Sequence, residues 1–204
     1  MEMGRFDEAF ADCNKAIALN PSYAEAYSNR GAVFDKWQKF DRAIEDFDEA
    51  ISLNPSYPLA YYNRGLAFGK MGKFDKAIED FDQAIALNPS DESAYYNRGL
   101  AFGKMGKSDK AIENFDQAIA LNPSNADAYY SRGLAFGKMG KFDKALDQFN
   151  RAVNIDPSYT VVYRNRGDVY LIMGNKDLAA SDFQKACDLG DREGCGALQA
   201  LRRP

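Results

Sequence analysis

AYYNRGLAFGKMGKFDKAIEDFDQAIALNP, residues 60–89, returns with few changes as AYYNRGLAFGKMGKSDKAIENFDQAIALNP at 94–123. It returns again as AYYSRGLAFGKMGKFDKALDQFNRAVNIDP at 128–157. Pro21, Pro55, Pro89, Pro123 and Pro157 follow one another at intervals of 34 residues. A fixed period of this size means one structural unit stacked on itself, with a core shared between neighbours. The function of such a chain is expected on the surface that the stack creates.

Each unit reads as two helices. In 58–91 the first is expected from about Leu59 to Met71, ending at Gly72, a residue free to take the left-handed cap conformation. The second is expected from near Asp75 to near Leu87, with Asn88-Pro89 ending it because proline cannot continue a helix. Ala77, Phe81, Ala84 and Ile85 recur at helical and not strand-like spacing, and no stretch reads as a strand. The turns are short, so successive helices are expected to pack antiparallel. Gly65 and Ala77 suit a close approach of two helix axes, with Tyr61, Phe68, Phe74 and Phe81 filling the space around them.

Tyr61, Gly65, Phe68, Ala77, Phe81, Ala84 and Pro89 resemble the signature of the tetratricopeptide repeat family. The set recurs as Tyr27, Gly31, Phe34, Ala43, Phe47, Ala50 and Pro55, and the resemblance runs over essentially the whole chain. It implies an all-α fold, a right-handed superhelical solenoid of antiparallel helix pairs. It also implies a non-enzymatic scaffold that binds a peptide or protein partner on its concave side. The expected division is a half repeat at 1–23, full repeats at 24–57, 58–91, 92–125, 126–159 and 160–193, and a capping segment at 194–204. A start inside a helix pair is expected of a piece of a longer protein. That leaves the interaction arm of a larger protein as one alternative and self-assembly through Phe6, Phe10 and Ile17 of the half repeat as another.

Three places depart from the family pattern. The seventh place of the unit, commonly leucine, is Arg30, Arg64, Arg98, Arg132 and Arg166. These arginines turn toward the packed side, where a guanidinium needs an acceptor. Asp46, Asp80 and Asp182 are the expected partners, with Asn114 and Gln148 at that place elsewhere. Cys13 stands where an aromatic residue is usual. Ser108 replaces a phenylalanine, which is expected to loosen the start of one second helix.

With Tyr61 as the centre of the buried face, Gly65 and Phe68 fall within about 40° of it on a helical wheel. Tyr62, Leu66 and Gly69 form a second stripe, bordered by Asn63 and Lys70. If the first helices line the inner wall, as the resemblance implies, that stripe is the floor of a binding groove. It recurs as Tyr96, Asn97, Leu100 and Gly103, and as Tyr130, Ser131, Leu134 and Gly137. Gly69, Gly103 and Gly137 each disfavour their helix by about 1 kcal/mol against alanine. Either a side chain there would block the groove or meet the next tyrosine, or duplication carried a neutral glycine along.

Asn29, Asn63, Asn97 and Asn165 share one place. They resemble the asparagine ladder of the O-GlcNAc transferase superhelix, which implies a grip on a peptide backbone; the other reading is that the amides bond to neighbouring turns. The basic carboxylate clamp of the Hsp70/Hsp90-binding branch is not expected, because its cations are missing. Cys187 and Cys195 resemble the cysteine pair of Sel1-like, Hcp-type repeats. That implies a disulfide in an oxidising compartment, two small buried thiols being the alternative.

Composition narrows the classes. A net charge of −4 gives no support to nucleic-acid binding. No apolar run approaches the roughly 18 residues of a membrane span. The chain has no histidine, which removes the commonest general base and metal ligand. GLAFGKMGK lacks the ending and the preceding strand of a phosphate loop. No catalytic, metal or cofactor-binding residue is therefore expected. A cytoplasmic setting is slightly favoured over a periplasmic or secreted one.

Overall fold

The structure, a computed structural model, describes residues 2–202. Met1 of the expected half repeat, and Arg203 and Pro204 of the expected capping segment, lie outside the described residues. All regular structure among the described residues is α-helical, in antiparallel pairs. Two compact units, residues 1–105 and 106–204, make up the chain.

The first unit contains α1 (Glu2–Leu19), α2 (Ala24–Lys36), α3 (Phe40–Leu53), α4 (Pro58–Lys70), α5 (Phe74–Leu87) and α6 (Glu92–Lys104). Here α2 pairs with α3 and α4 with α5, and each second helix also packs on the first helix that follows it. An inner helix is thus buried on two sides. In α4 the buried residues are Ala60, Gly65 and Ala67. Tyr61, expected at the centre of the buried face, lies between these contacts only half buried. Its ring carries the Arg64 guanidinium 5.7 Å from its centroid.

Turn chemistry follows the period. The Gly72 N–H donates to the Gly69 carbonyl and the Lys73 N–H to that of Phe68, while Gly72 adopts φ +74. This is the paired-bond helix end that glycine favours. Gln38 takes the same position after α2 with φ 59, the one residue other than glycine with positive φ among those described. Gln38→Gly is expected to stabilise the chain by about 1 kcal/mol, since the left-handed conformation strains an L-residue. Urea denaturation of both proteins measures this. At the other turn, Asn54 and Asn88 accept the N–H of Ser56 and Ser90. These side-chain turns explain why Asn-Pro-Ser recurs where the helix stops.

The second unit contains α7 (Ser108–Leu121), α8 (Ala126–Lys138), α9 (Phe142–Ile155), α10 (Thr160–Ile172), α11 (Lys176–Asp188) and α12 (Arg192–Leu201). α7 spans 14 residues, as α5 does, so Ser108 does not shorten the helix expected to loosen there. The backbone of α7 begins at the same place of the unit with or without the phenylalanine ring.

The chain leaves the period at its end. Asp191 occupies the place of the recurring proline, and its carboxylate caps α12 by accepting the Glu193 N–H. Burial pushes the Asp191 carboxyl up, but Arg164 and the Gly194 and Glu193 amides outweigh this and hold it below its ordinary value. Cys187 and Cys195 form a disulfide with Cα atoms 4.6 Å apart, tying α11 to α12. Cys195→Ser is expected to lower stability by about 2 kcal/mol. Amide-exchange protection should fall over α12 first and persist over α8 to α10.

The core is a repeated glycine–phenylalanine contact. Phe47, Phe81, Phe149 and Phe183 are almost fully buried. A Cβ on Gly31, Gly65, Gly133 or Gly167 would lie within 3 Å of the facing phenylalanine ring. No larger residue fits at those crossings without displacing the ring.

Candidate groove on the first helices

Arg30, Arg64, Arg132 and Arg166 at the seventh place are each held from two sides, and Arg98 bonds Asp82 of the preceding second helix. The Arg64 Nε and Nη2 donate to Asp80 at 2.9 and 2.7 Å, and its Nη1 donates to Asp48 at 2.5 Å. Arg30 likewise joins Asp46 and Asn14, and Arg166 joins Asp182 and Asn150. Arg132 uses the neutral Gln148 with Asp116. The second acceptor, on the preceding second helix, is not among the partners expected from sequence. It was readable, because every such arginine has an acceptor 16 residues before it as well as after it. These groups bond within the stack, apart from the stripe expected to line a groove.

In the first unit a recess of about 270 Å³ opens among α4, α5 and α6. Leu66, Gly69, Asn97 and Leu100 of the expected groove line it, together with Phe74, Phe81 and the exposed Lys70 and Lys104. The second unit has a counterpart of about 270 Å³ lined by Leu134, Gly137 and Asn165, with Lys138, Asp168 and Ile172. A Cβ on Gly69 or Gly137 would have no neighbour within 4 Å. The expected collision with the next tyrosine is therefore absent at both positions; the glycines border open space.

Tyr62 and Tyr130 do not line the recesses. They stand half buried against Phe81 and Phe149, with ring centroids 5.9 and 6.0 Å apart. Burial, with the nearby Asp91 carboxylate, pushes the Tyr62 phenol above its ordinary value. Tyr96 and Gly103 are also half buried, and Ser131 is buried.

The Asn97 amide nitrogen donates to the Tyr62 hydroxyl at 3.1 Å and to the Ser93 carbonyl at 2.8 Å. Asn165 repeats this with Tyr130 and Val161. Both amide hydrogens are thus spent within the protein, and the side-chain oxygen is the acceptor that remains. The spacing of 35 residues from tyrosine to asparagine was the sequence signal for this pairing. At that spacing Asn63 has Ser28, a shorter side chain than tyrosine, and no first helix precedes Asn29 among the described residues. Asn29 is exposed and Asn63 half buried.

The wall is not uniformly basic. Lys70 pairs with Asp35 of α2. In the second unit Arg164, which stands where Tyr62 and Tyr130 do, pairs with Asp191 and Glu193. Burial raises the Asp168 carboxyl, with Arg164 pulling it back. No group of three or more metal-ligating side chains occurs among the described residues. No helix among them is long and apolar enough to cross a membrane.

Comparison with known proteins gives this arrangement its family. Profiles described as Tetratricopeptide repeat match residues 58–91 and 126–159, 81–113, and 162–189. A profile described as TPR repeat matches 1–36, 38–72 and 104–140, more than half of the chain by itself. No curated protein sequence matches. Among solved structures, YrrB, described as a TPR protein with an unusual peptide-binding site, is similar at a TM-score of 0.76. It is 26% identical, over 94% of this chain and 98% of that one. MamA is similar at a TM-score of 0.75 and 28% identity, over 81% of this chain and 96% of that one. The pilF protein of Pseudomonas aeruginosa shares the fold at a TM-score of 0.83 and 19% identity, over 98% of this chain and 90% of that one. With the period, the helix pairs and the glycine–phenylalanine crossings already in place, these matches establish that the chain belongs to the tetratricopeptide repeat family.

Proposed function

We propose that the chain is a non-enzymatic scaffold that binds an extended segment of a partner protein along its first helices. Tetratricopeptide repeats generally act as protein-interaction scaffolds, and the peptide-binding site named for YrrB supports the same use here. The observation that carries the reading is the pair of open, largely apolar recesses bordered by Leu66, Gly69, Asn97 and Leu100 and by Leu134, Gly137 and Asn165. Tyr62, Asn63, Tyr96, Gly103, Tyr130, Ser131 and Asn29 complete the proposed surface. The units of this surface are read as a half repeat at 1–23, full repeats from 24 to 193, and a cap at 194–204. The bonded cysteines support reading that cap as a Sel1-like staple.

The test is a pull-down comparing the wild type with Leu66→Asp, Leu100→Asp and Leu134→Asp combined. All three leucines are only partly buried, but Leu134 packs against the core around Phe149, so circular dichroism first checks that the variant folds. Loss of the partner supports the groove, and equal recovery contradicts it. A second reading is self-association through α1, for which Phe6, Phe10 and Ile17 are the surface expected from sequence. All three are only half exposed, and Phe10 packs on Phe34 and Trp37. The reading draws instead on Leu19, 78% exposed, and on the half-exposed Ala9 and Ala16, whose counterparts in α3 are fully buried. Light scattering that shows a monomer across concentrations would remove it.

A further inference from the structure

Gly69 and Gly137 sit in the last turn of their helices, and neither is required by packing, since a Cβ there meets nothing within 4 Å. What each glycine does is leave a recess open. The same place holds Asp35 in α2 and Leu171 in α10. The recess beside Gly69 has an apolar lining of Leu66, Phe74, Phe81 and Leu100, and its only charged lining groups are Lys70 and Lys104. Lys70 is neutralised by Asp35, whereas Lys104 forms no ion pair among the described residues. The volume, about 270 Å³, falls just below the range of roughly 300–1,000 Å³ for small-molecule sites and suits a single side chain. The recess beside Gly137 has the same volume but carries Asp168 in place of Leu100 and Ile172 in place of Lys104. The two recesses therefore share a shape and differ in charge.

Resting on the groove reading above, we propose that the Gly69 recess takes one aliphatic or aromatic side chain of the bound segment, next to an Asp or Glu that pairs with Lys104. The apolar side chain replaces water against leucine and phenylalanine, and the carboxylate meets the unpaired ammonium at the recess. The Asn97 side-chain oxygen remains to accept a backbone N–H of the same segment. The Gly137 recess, with Asp168 in its wall, discriminates against that acidic neighbour.

The experiment uses the full chain, labelled for amide spectra, and the blocked peptides Ser-Leu-Asp-Ser, Ser-Leu-Asn-Ser and Ser-Asn-Asp-Ser. The Leu-Asp peptide should shift the amides of Gly69, Leu100 and Lys104 and bind roughly fivefold tighter than the Leu-Asn peptide. It should affect Gly137 and Asp168 less, and the Asn-Asp peptide should shift none of these amides. Gly69→Leu fills open space without a clash, so it should fold and lose the shifts; Lys104→Gln should keep Leu binding and lose the preference for Asp. Unchanged binding by Gly69→Leu, or equal binding of the Asp and Asn peptides, overturns the proposal. Peptide-induced shifts at Tyr62 and Tyr130 with Gly69 and Leu100 silent also overturn it while leaving the groove reading intact. Silence along all the first helices counts against both.

Discussion

Asp80→Ala is expected to destabilise the chain by about 3 kcal/mol, because it strands a largely buried guanidinium. Asp80 accepts both Nε and Nη2 of Arg64, and the side chains are only 6% and 20% exposed. Asp48, 56% exposed, keeps one bond and limits the loss. Burial holds the Asp80 carboxyl above its ordinary value despite the pull of Arg64, so ionising it in place is itself unfavourable. A neutral acceptor avoids that penalty, as Gln148 already does for Arg132. Asp80→Asn is accordingly expected to lose only about 1 kcal/mol. Urea denaturation of the wild type and both variants measures the two losses; equal losses would show that charge, and not an acceptor, is what Arg64 requires.

Two glycines one helical turn apart should respond to alanine with opposite sign. At Gly133 a Cβ would lie 2.6 Å from Cε1 of Phe149 and 3.2 Å from Cβ of Gln148. The ring is itself almost fully buried and has little room to yield, so Gly133→Ala is expected to lose about 3 kcal/mol. At Gly137 nothing lies within 4 Å, and alanine, the better helix former, is expected to gain about 0.5 kcal/mol, less than in a helix interior because Gly137 lies in the last turn of α8. Thermal or urea unfolding of both variants measures this. A loss at Gly137 would mean that its glycine is structural, and would remove the physical basis for an open recess there.

The contrast between these glycines shows how far the sequence could be read. Gly133 aligns with Phe149 through the same unit spacing that pairs Gly65 with Phe81, so the close crossing was legible from periodicity. Gly137 has the same residue type and equal regularity, but whether space or an atom lies beside it depends on the direction of a Cβ between three helices. The wheel placed Tyr61 at the centre of the buried face. Its counterparts Tyr129 and Tyr163 are buried, while Tyr61 is half buried beneath Arg64, a difference that residues of the same type at the same place of the unit do not show. Asn97 and Asn165 were legible as sharing one place, and their 35-residue spacing from Tyr62 and Tyr130 was there to be read; that their amides bond those hydroxyls and the carbonyls one turn back needed side-chain positions. Helix ends were placed to within one residue in 58–91, where Gly72 and Asn88-Pro89 punctuate the chain. α12 was read only as a capping segment beginning at 194 and not as a helix from Arg192, because Asp191 stands where the proline signal should be.

The central claim is that partners bind along the first helices, and site-specific photocrosslinking tests it most directly. A benzophenone side chain placed at Leu66 or Leu134 reports on the recesses; one placed at the exposed Glu79 of α5 reports on a second helix. The account predicts partner adducts from Leu66 and Leu134 and none from Glu79. Adducts formed equally at Glu79, or there alone, would contradict it.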